Sequence, residues 1–514
     1  MIPSADDAWP AGAGRRGLAG AGWPARAARR RAAPRCRESV SAEDRAMPQL
    51  PVAVIGAGFS GTMAALHLSR LLPPGRQVLL CEQSAVFARG LAYATGCPDH
   101  LLNVRAANMS AFPDAPEDFS RWLERCGLDD LACIRATPAG VFAARGLYGR
   151  YLTELLVGAL TGEASPRLLL ENDAVVDLAP APEGFRLTLA AGRVRAVSGV
   201  ILACGKLRGG RDWTTRYRLD PWDEAPLDGL RADMPVLVVG TGLTMVDAVA
   251  ALRRRGFPGP VLALSRHGYL PQVHAPAAPW PAPALSEAER LSARLLLRRL
   301  RAEAARAAAA GSDWRGVIDG LRAGSVALWR GLPEAEQRRF LRHLRSVWDV
   351  HRHRMAPPAA EIIAREREAG GLSILRGRVE AVADQAGFAL VRIRERGAPT
   401  PRDLAVQRIL DASGVASVAR SDDPLLRRLM QRGVVRPDAH GLGLAAAEDL
   451  ALIGADGTAG RPLWTLGPLL RGTLWECTAV PDIRGQAAAL AATVAARLAA
   501  EAAHEKPLAR AGEG

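Results

Sequence analysis

Short apolar runs separated by glycine-rich or polar breaks set the rhythm of this chain. Val52-Ala53-Val54-Ile55 and Val78-Leu79-Leu80-Cys81 contain no polar or charged side chain apart from one thiol, the composition of strands buried on both faces. Val236-Leu237-Val238-Val239 and Val261-Leu262-Ala263-Leu264 repeat that pair later. In each pair a helical stretch separates the runs. After the first pair, residues 175–176, 185–189 and 200–205 predict a small meander that returns to a strand ending in a small-residue turn at Gly205. After the second pair, Val379, residues 388–391 and residues 408–414 repeat that order and end at Gly414. An internal repeat of this kind predicts an α/β fold with two nested Rossmann-like dinucleotide-binding domains.

The turns between strand and helix carry the chemistry. Residues 56–61 read GAGFSG directly after the first apolar run, and Glu82 closes the second. Gly56 makes the tight turn, Gly58 lets backbone approach a pyrophosphate, and Gly61 permits close packing of helix on strand. Glu82 can accept from a ribose hydroxyl. A helix opening at Phe59 or Ser60 points its free N–H groups and positive dipole end at the phosphates. Taken alone, this fingerprint fits FAD or NAD equally. The second turn, Gly240-Thr241-Gly242, is followed by Thr244 and by Met245 where the third glycine would stand, which sets that helix further from its strand. Beyond the next strand stands Arg266 in place of an acid. An acid there would repel a 2'-phosphate, whereas arginine can pair with it, so NADPH is expected over NADH. One chain with two such sites implies FAD plus NAD(P)H.

Between the halves the pattern changes to helix. Residues 274–286 are too rich in proline for a helix interior. Ser286 and Glu289 then form a capping box, and leucines 291, 295, 296 and 300 predict an amphipathic helix running to about residue 310. A second helix is expected over residues 333–353, stopped before Pro357-Pro358. The segmentation follows: 1–46 a disordered extension; 47–234 and 405–500 the two parts of the FAD domain; 235–275 and 372–404 those of the NAD(P)H domain; 276–371 a helical substrate-side or lid insertion; 501–514 a tail.

Composition refines this picture little. The chain has 514 residues, 49% of them hydrophobic, and a formal net charge of +14. The basic excess is almost entirely arginine, in a chain rich in alanine, glycine and proline, and no run alternates bases with stacking aromatics. No nucleic-acid partner is therefore expected. Seven scattered cysteines without a CxxC argue for a reducing, cytoplasmic setting and against both a zinc site and a dithiol flavoenzyme; Cys204 reads as a buried filler. No apolar stretch reaches membrane-spanning length, and no metal is expected.

Further motifs carry a resemblance. Arg89-Gly90-Leu91-Ala92-Tyr93, LLNVRAANMSAFPD over residues 101–114, GTGLTMVD over 240–247, RRFLRHLRSVWDVHRHRMAP over 338–357 and WECTAVPDIR over 475–484 together resemble the bacterial FAD/NAD(P)-binding proteins grouped with FAD-dependent urate hydroxylase and aspartate N-monooxygenase. The resemblance spans about residues 51–500. It implies a flavoprotein monooxygenase in which NADPH reduces FAD, O2 forms a flavin C4a-(hydro)peroxide, and a small, anionic substrate is hydroxylated. Carried onto this chain, Gly56, Gly58, Phe59, Ser60, Gly61 and Glu82 hold the ADP part of FAD, with Gly205 and Gly414 at the returning turns. Asn103 and Met109 line the isoalloxazine, and residues from Ala479 to Ile483 present a helix N-terminus to it. Gly240, Gly242, Thr244 and Arg266 bind NADPH. Arg342, Arg352 or Arg354, with His351 or His353, are the candidates for gripping an anionic substrate or the cofactor phosphates, against a solvated basic face. Two other readings stay open: a flavin reductase or oxidase with another electron acceptor, and a non-catalytic FAD-binding partner or redox sensor.

Overall fold

The computed structural model describes residues 49–511 apart from 74, 162–166, 206, 208–212, 223–226, 228 and 415–416, so the extension expected over 1–46 lies outside the described residues. Two sheets, the first parallel and the second with a parallel core, carry the two dinucleotide folds. The first places Val52–Ile55 at its centre, with Val78–Cys81 and then Leu168–Glu171 on one side and Gly199–Leu202 and then Leu463–Thr465 on the other. The chain leaves the central strand in one direction and returns on the opposite side. That reversal is a topological switch point, and it opens a crevice at the carboxyl end of Val52–Ile55. All four residues of this strand are buried, as expected of a strand covered on both faces.

The second sheet repeats the device. Val236–Val239 lies between Val261–Ser265 on one side and Arg408–Asp411 on the other, all parallel. The sheet continues from Val261–Ser265 through Leu372–Asp384 into the antiparallel strands Ala389–Glu395 and Arg402–Val406. Its far edge is Arg218–Leu219. Three assigned boundaries therefore move. Arg218–Leu219 and Arg408–Asp411, given to the FAD segments 47–234 and 405–500, both belong to the second sheet. The Pro357–Glu368 helix, given to the insertion, packs on the Leu243–Arg254 helix and on Leu372–Asp384, where Arg253 and Glu366 pair at 2.6 Å.

The Phe59–Leu71 helix is buried along most of its length because the C-terminal helix, Val480–Ala511, packs across it. That C-terminal helix runs to Ala511, into the segment assigned to the tail. The insertion is helical but more broken than its periodicity suggests. The Ser286–Glu289 capping box forms, yet its helix stops at Arg290 and a new one, Ala293–Ala309, starts after Ser292. Residues 333–353 likewise form two helices, Glu334–His343 and Arg345–Arg352, meeting at Leu344.

Candidate functional site

At the first turn, Gly56 and Gly61 have no room for a side chain. Gly56 takes φ +99°, and a Cβ there would sit 2.5 Å from the Ala203 carbonyl oxygen. A Cβ on Gly61 would lie 1.8 Å from the Gly56 carbonyl oxygen, so helix and strand touch through bare backbone. Gly58 caps the Phe59–Leu71 helix in extended conformation without any side-chain hydrogen bond, which leaves the N–H groups of the first turn to a ligand. The Glu82 carboxylate is already oriented at this turn: Oε2 accepts from the Ala57 N–H at 2.8 Å and Oε1 from the Ser84 N–H at 3.0 Å. Gly205 follows the neighbouring strand at φ +70° with open space around it.

Two contacts were invisible in the local pattern. Gly90 brings its Cα close enough to Gly58 that a Cβ on Gly90 would approach it at 3.1 Å, so the Arg89–Tyr93 motif forms one wall of the turn. Gly467, at φ +72°, faces the Ser60 hydroxyl and Ile483, and its N–H donates to Gln486 Oε1 at 3.3 Å. The start of the C-terminal helix is thereby held beside the start of the first. Ala479 precedes that helix, and its carbonyl accepts from Asp482 and Ile483, both at 3.0 Å. Ile483 is buried in the core, as is Met109, which is 2% exposed. Asn103 is half-buried, and its carbonyl accepts from His274 Nε2 at 3.0 Å. Because a carbonyl only accepts, Nε2 carries the His274 proton, leaving Nδ1 a buried acceptor without a partner among the described residues. Burial lowers the pKa of this histidine to about 4.

The second turn is built on the same plan with one difference. Gly240 takes φ +116°, and a Cβ there would meet the Ala412 carbonyl oxygen at 2.3 Å; Gly414 follows that strand at φ +94°. Gly242 caps the Leu243–Arg254 helix without a side-chain hydrogen bond and has open space around its Cα. Thr244 lies half-buried in the first turn of this helix, and Met245 is wholly buried in the core against Val236, Val238 and Leu410. The Thr241 hydroxyl donates to the Tyr269 carbonyl at 2.6 Å and lies 2.8 Å from Ser265 Oγ, which stitches the turn to the loop after the next strand. Arg266, in that loop, is exposed and makes no hydrogen bond or ion pair among the described residues.

The two halves are latched through a buried polar cluster that sequence spacing could not reveal. Arg145 pairs with Asp247 at 3.2 Å, both side chains 10% exposed. His100 Nε2 donates to the Asp247 carbonyl at 3.0 Å, and the Thr95 hydroxyl lies 2.7 Å from His100 Nδ1.

The cationic candidates of the insertion do not converge on an open anion site. Arg354 is 2% exposed, ion-paired with Asp319, and donates to the His351 carbonyl at 2.9 Å. Arg352 is buried against Glu476 at 3.3 Å and Asp482 at 3.7 Å. His353 is pushed down to about 4 by burial, with the Arg352 charge adding to the effect. Arg342 is exposed on the outer surface of its helix. His351 alone of the group lines a cavity, described below.

Residues 53–207 match the FAD-NAD(P)-binding family. This segment holds the first fingerprint, Glu82, Asn103, Met109 and Gly205, and it is an FAD/NAD(P)-binding domain. Over nearly the whole chain, uncharacterized proteins of Mycobacterium tuberculosis and Mycobacterium bovis are 24% identical across 526 residues, covering 88% of this chain and 96% of theirs. Among solved structures, an ornithine N-hydroxylase of Kutzneria sp. 744 is similar with a TM-score of 0.57 at 14% identity, covering 88% of this chain and all of that one. An ornithine hydroxylase of Pseudomonas aeruginosa gives 0.59 at 13% identity over 88% and 100%. An L-lysine 6-monooxygenase of Pseudomonas syringae gives 0.59 at 14% identity over 87% and 99%. The fold is shared with these proteins. Among the described residues no helix is long and apolar enough to cross a membrane.

Proposed function

We propose that the chain is an NADPH-dependent flavoprotein monooxygenase that hydroxylates a small organic molecule. The observation that carries this reading is the placement of the insertion: its helices close over the loop leading into the C-terminal helix, beside the FAD turn. Trp348 Nε1 donates to Glu476 Oε1 at 2.9 Å and Trp329 Nε1 to the Gly472 carbonyl at 2.8 Å, pinning the insertion to that loop. Oxygen insertion needs the reacting centre kept from bulk water, and helices packed over this loop supply such cover. A dithiol reductase would instead need two closely spaced cysteines beside the cofactor, and the sequence contains no CxxC.

The residues fit both cofactors. FAD, when bound, supplies electron transfer from NADPH and the activation of O2. Glu82 orients the ribose, and Gly56, Gly58 and Gly61, with the uncapped helix start, receive the pyrophosphate. Gly240, Gly242 and Thr244 receive the nicotinamide dinucleotide, and Arg266 meets its 2'-phosphate. The neutral Nδ1 of His274, beside Asn103, can accept a hydrogen bond where the NAD(P)H segment meets the FAD domain. Urate and aspartate, the substrates suggested by resemblance, would need an anion grip that the internally paired Arg352 and Arg354 do not provide.

Anaerobic mixing with NADPH should bleach the flavin, and in air with 18O2 a product should carry the label. Fast bleaching with stoichiometric peroxide and no labelled product, across a panel of small organic molecules, would instead identify a reductase or oxidase. No bleaching would leave a non-catalytic flavoprotein.

A further inference from the structure

The insertion and Trp475 line a half-open cavity of about 340 Å³, within the range of small-molecule sites, and none of the dinucleotide-binding positions lines it. Its walls are aromatic. Trp314, Trp329, Trp348, Phe340 and Trp475 face it, and leucines of the Ala293–Ala309 helix complete them. Trp475 packs at 5.1 Å against Trp329 and edge-on at 5.2 Å against Phe340. It is held at φ 62°, a conformation costly for a bulky residue and sustained by this packing.

Several polar groups at these walls are already engaged. The indole N–H groups of Trp329 and Trp348 are spent on Gly472 and Glu476, so both rings offer carbon faces to a ligand. Ser325 Oγ donates to the Arg322 carbonyl at 2.7 Å, and His351 Nδ1 to the Val347 carbonyl at 2.8 Å. Arg352 and Arg354 are neutralised by carboxylates behind the wall. Arg301 differs from them: it lines the cavity, is exposed to solvent, and has no ion pair among the described residues.

We propose that this cavity binds an aromatic carboxylic acid, with its ring among the tryptophans and its acid group at Arg301. That this molecule is also the compound hydroxylated rests on the monooxygenase reading. A flat ring gains offset or edge contacts with several indoles at once, whereas a zwitterionic amino acid would leave its charges unpaired inside the walls. The carboxylate stays at the wet rim, where a single exposed arginine suffices to orient it.

The test is calorimetric titration of the FAD-loaded protein with 2-naphthoate, 2-naphthol, L-aspartate and L-ornithine. Naphthoate should bind with a negative heat-capacity change and more tightly than either amino acid. Ala304→Phe, which adds a ring to the cavity wall, should weaken naphthoate by about tenfold, the loss expected when a ring's worth of buried apolar contact is denied. Arg301→Gln should weaken naphthoate severalfold and leave naphthol unchanged. Naphthoate binding no tighter than aspartate, or with no heat-capacity change, overturns the proposal even if Ala304→Phe fails to fold. Equal losses for naphthoate and naphthol in Arg301→Gln overturn the acid's orientation. If NADPH bleaches the flavin while naphthoate does not bind, the cavity proposal falls and the monooxygenase reading stands. Naphthoate binding without bleaching gives the reverse.

Discussion

At the residue scale, the difference between the two turns is a difference of one side chain. Gly61 cannot become alanine without driving a methyl into the Gly56 carbonyl, while Met245, at the same position of the second turn, is fully buried in the core. The acceptors and donors differ as well. Glu82 is pre-oriented by two backbone N–H groups, whereas Arg266 stands free at the surface among the described residues. A solvent-screened arginine contributes less to phosphate binding than a buried one would. Arg266→Ala should therefore raise KM for NADPH by about tenfold, equivalent to about 1.4 kcal/mol, and leave NADH unchanged. Steady-state kinetics with both nucleotides checks this, and an equal loss for both would remove Arg266 from the phosphate site. Glu82→Ala should weaken FAD by about tenfold or more, read from flavin released on dilution, because it removes a charged acceptor from the ribose.

At the element scale, helix starts and stops were decided partly by distant residues. Ser286 and Glu289 cap a helix as their spacing predicts, but the helix ends after one turn because Ser292 caps the next and Glu336 accepts the Ala293 N–H at 2.9 Å. The break at Leu344 frees the Arg345–Arg352 helix to turn Trp348 and Arg352 onto Glu476. A hydrophobic stripe records neither event, since both are set by a partner far away in sequence. Met245 shows the opposite case, in which a departure from the glycine pattern is itself packing. Met245→Gly should therefore cost about 2–5 kcal/mol in denaturant unfolding, the price of an emptied core position, without tightening NADPH. Tighter NADPH binding in this variant would mean that the wider helix spacing, and not the helix start, limits that site.

At the scale of the whole molecule, acid stability reports how the parts are assembled. His274 and His353 titrate near 4 because burial disfavours their charged forms, against about 6.5 in an unfolded chain. The unfolded state thus takes up protons first as pH falls. The stability involved is intact above pH 6.5 and is lost progressively toward pH 4, by about 2 kcal/mol for each histidine at pH 5. Urea unfolding between pH 7 and pH 5 measures this, and His353→Gln should flatten the slope. Sequence alone determined the two strand, turn and helix units and the tight glycines Gly56, Gly61 and Gly240 at their turns, and it placed Glu82 and Arg266 at the ends of the following strands. Each of these is a local demand of backbone geometry or charge, written within a few dozen residues. Tertiary structure decided which sheet Arg408–Asp411 joins, how Asp247 meets Arg145, and that Arg352 and Arg354 are bound to carboxylates instead of a substrate. An arginine's role depends on which acid reaches it first, and that is settled only when helices from different parts of the chain pack together.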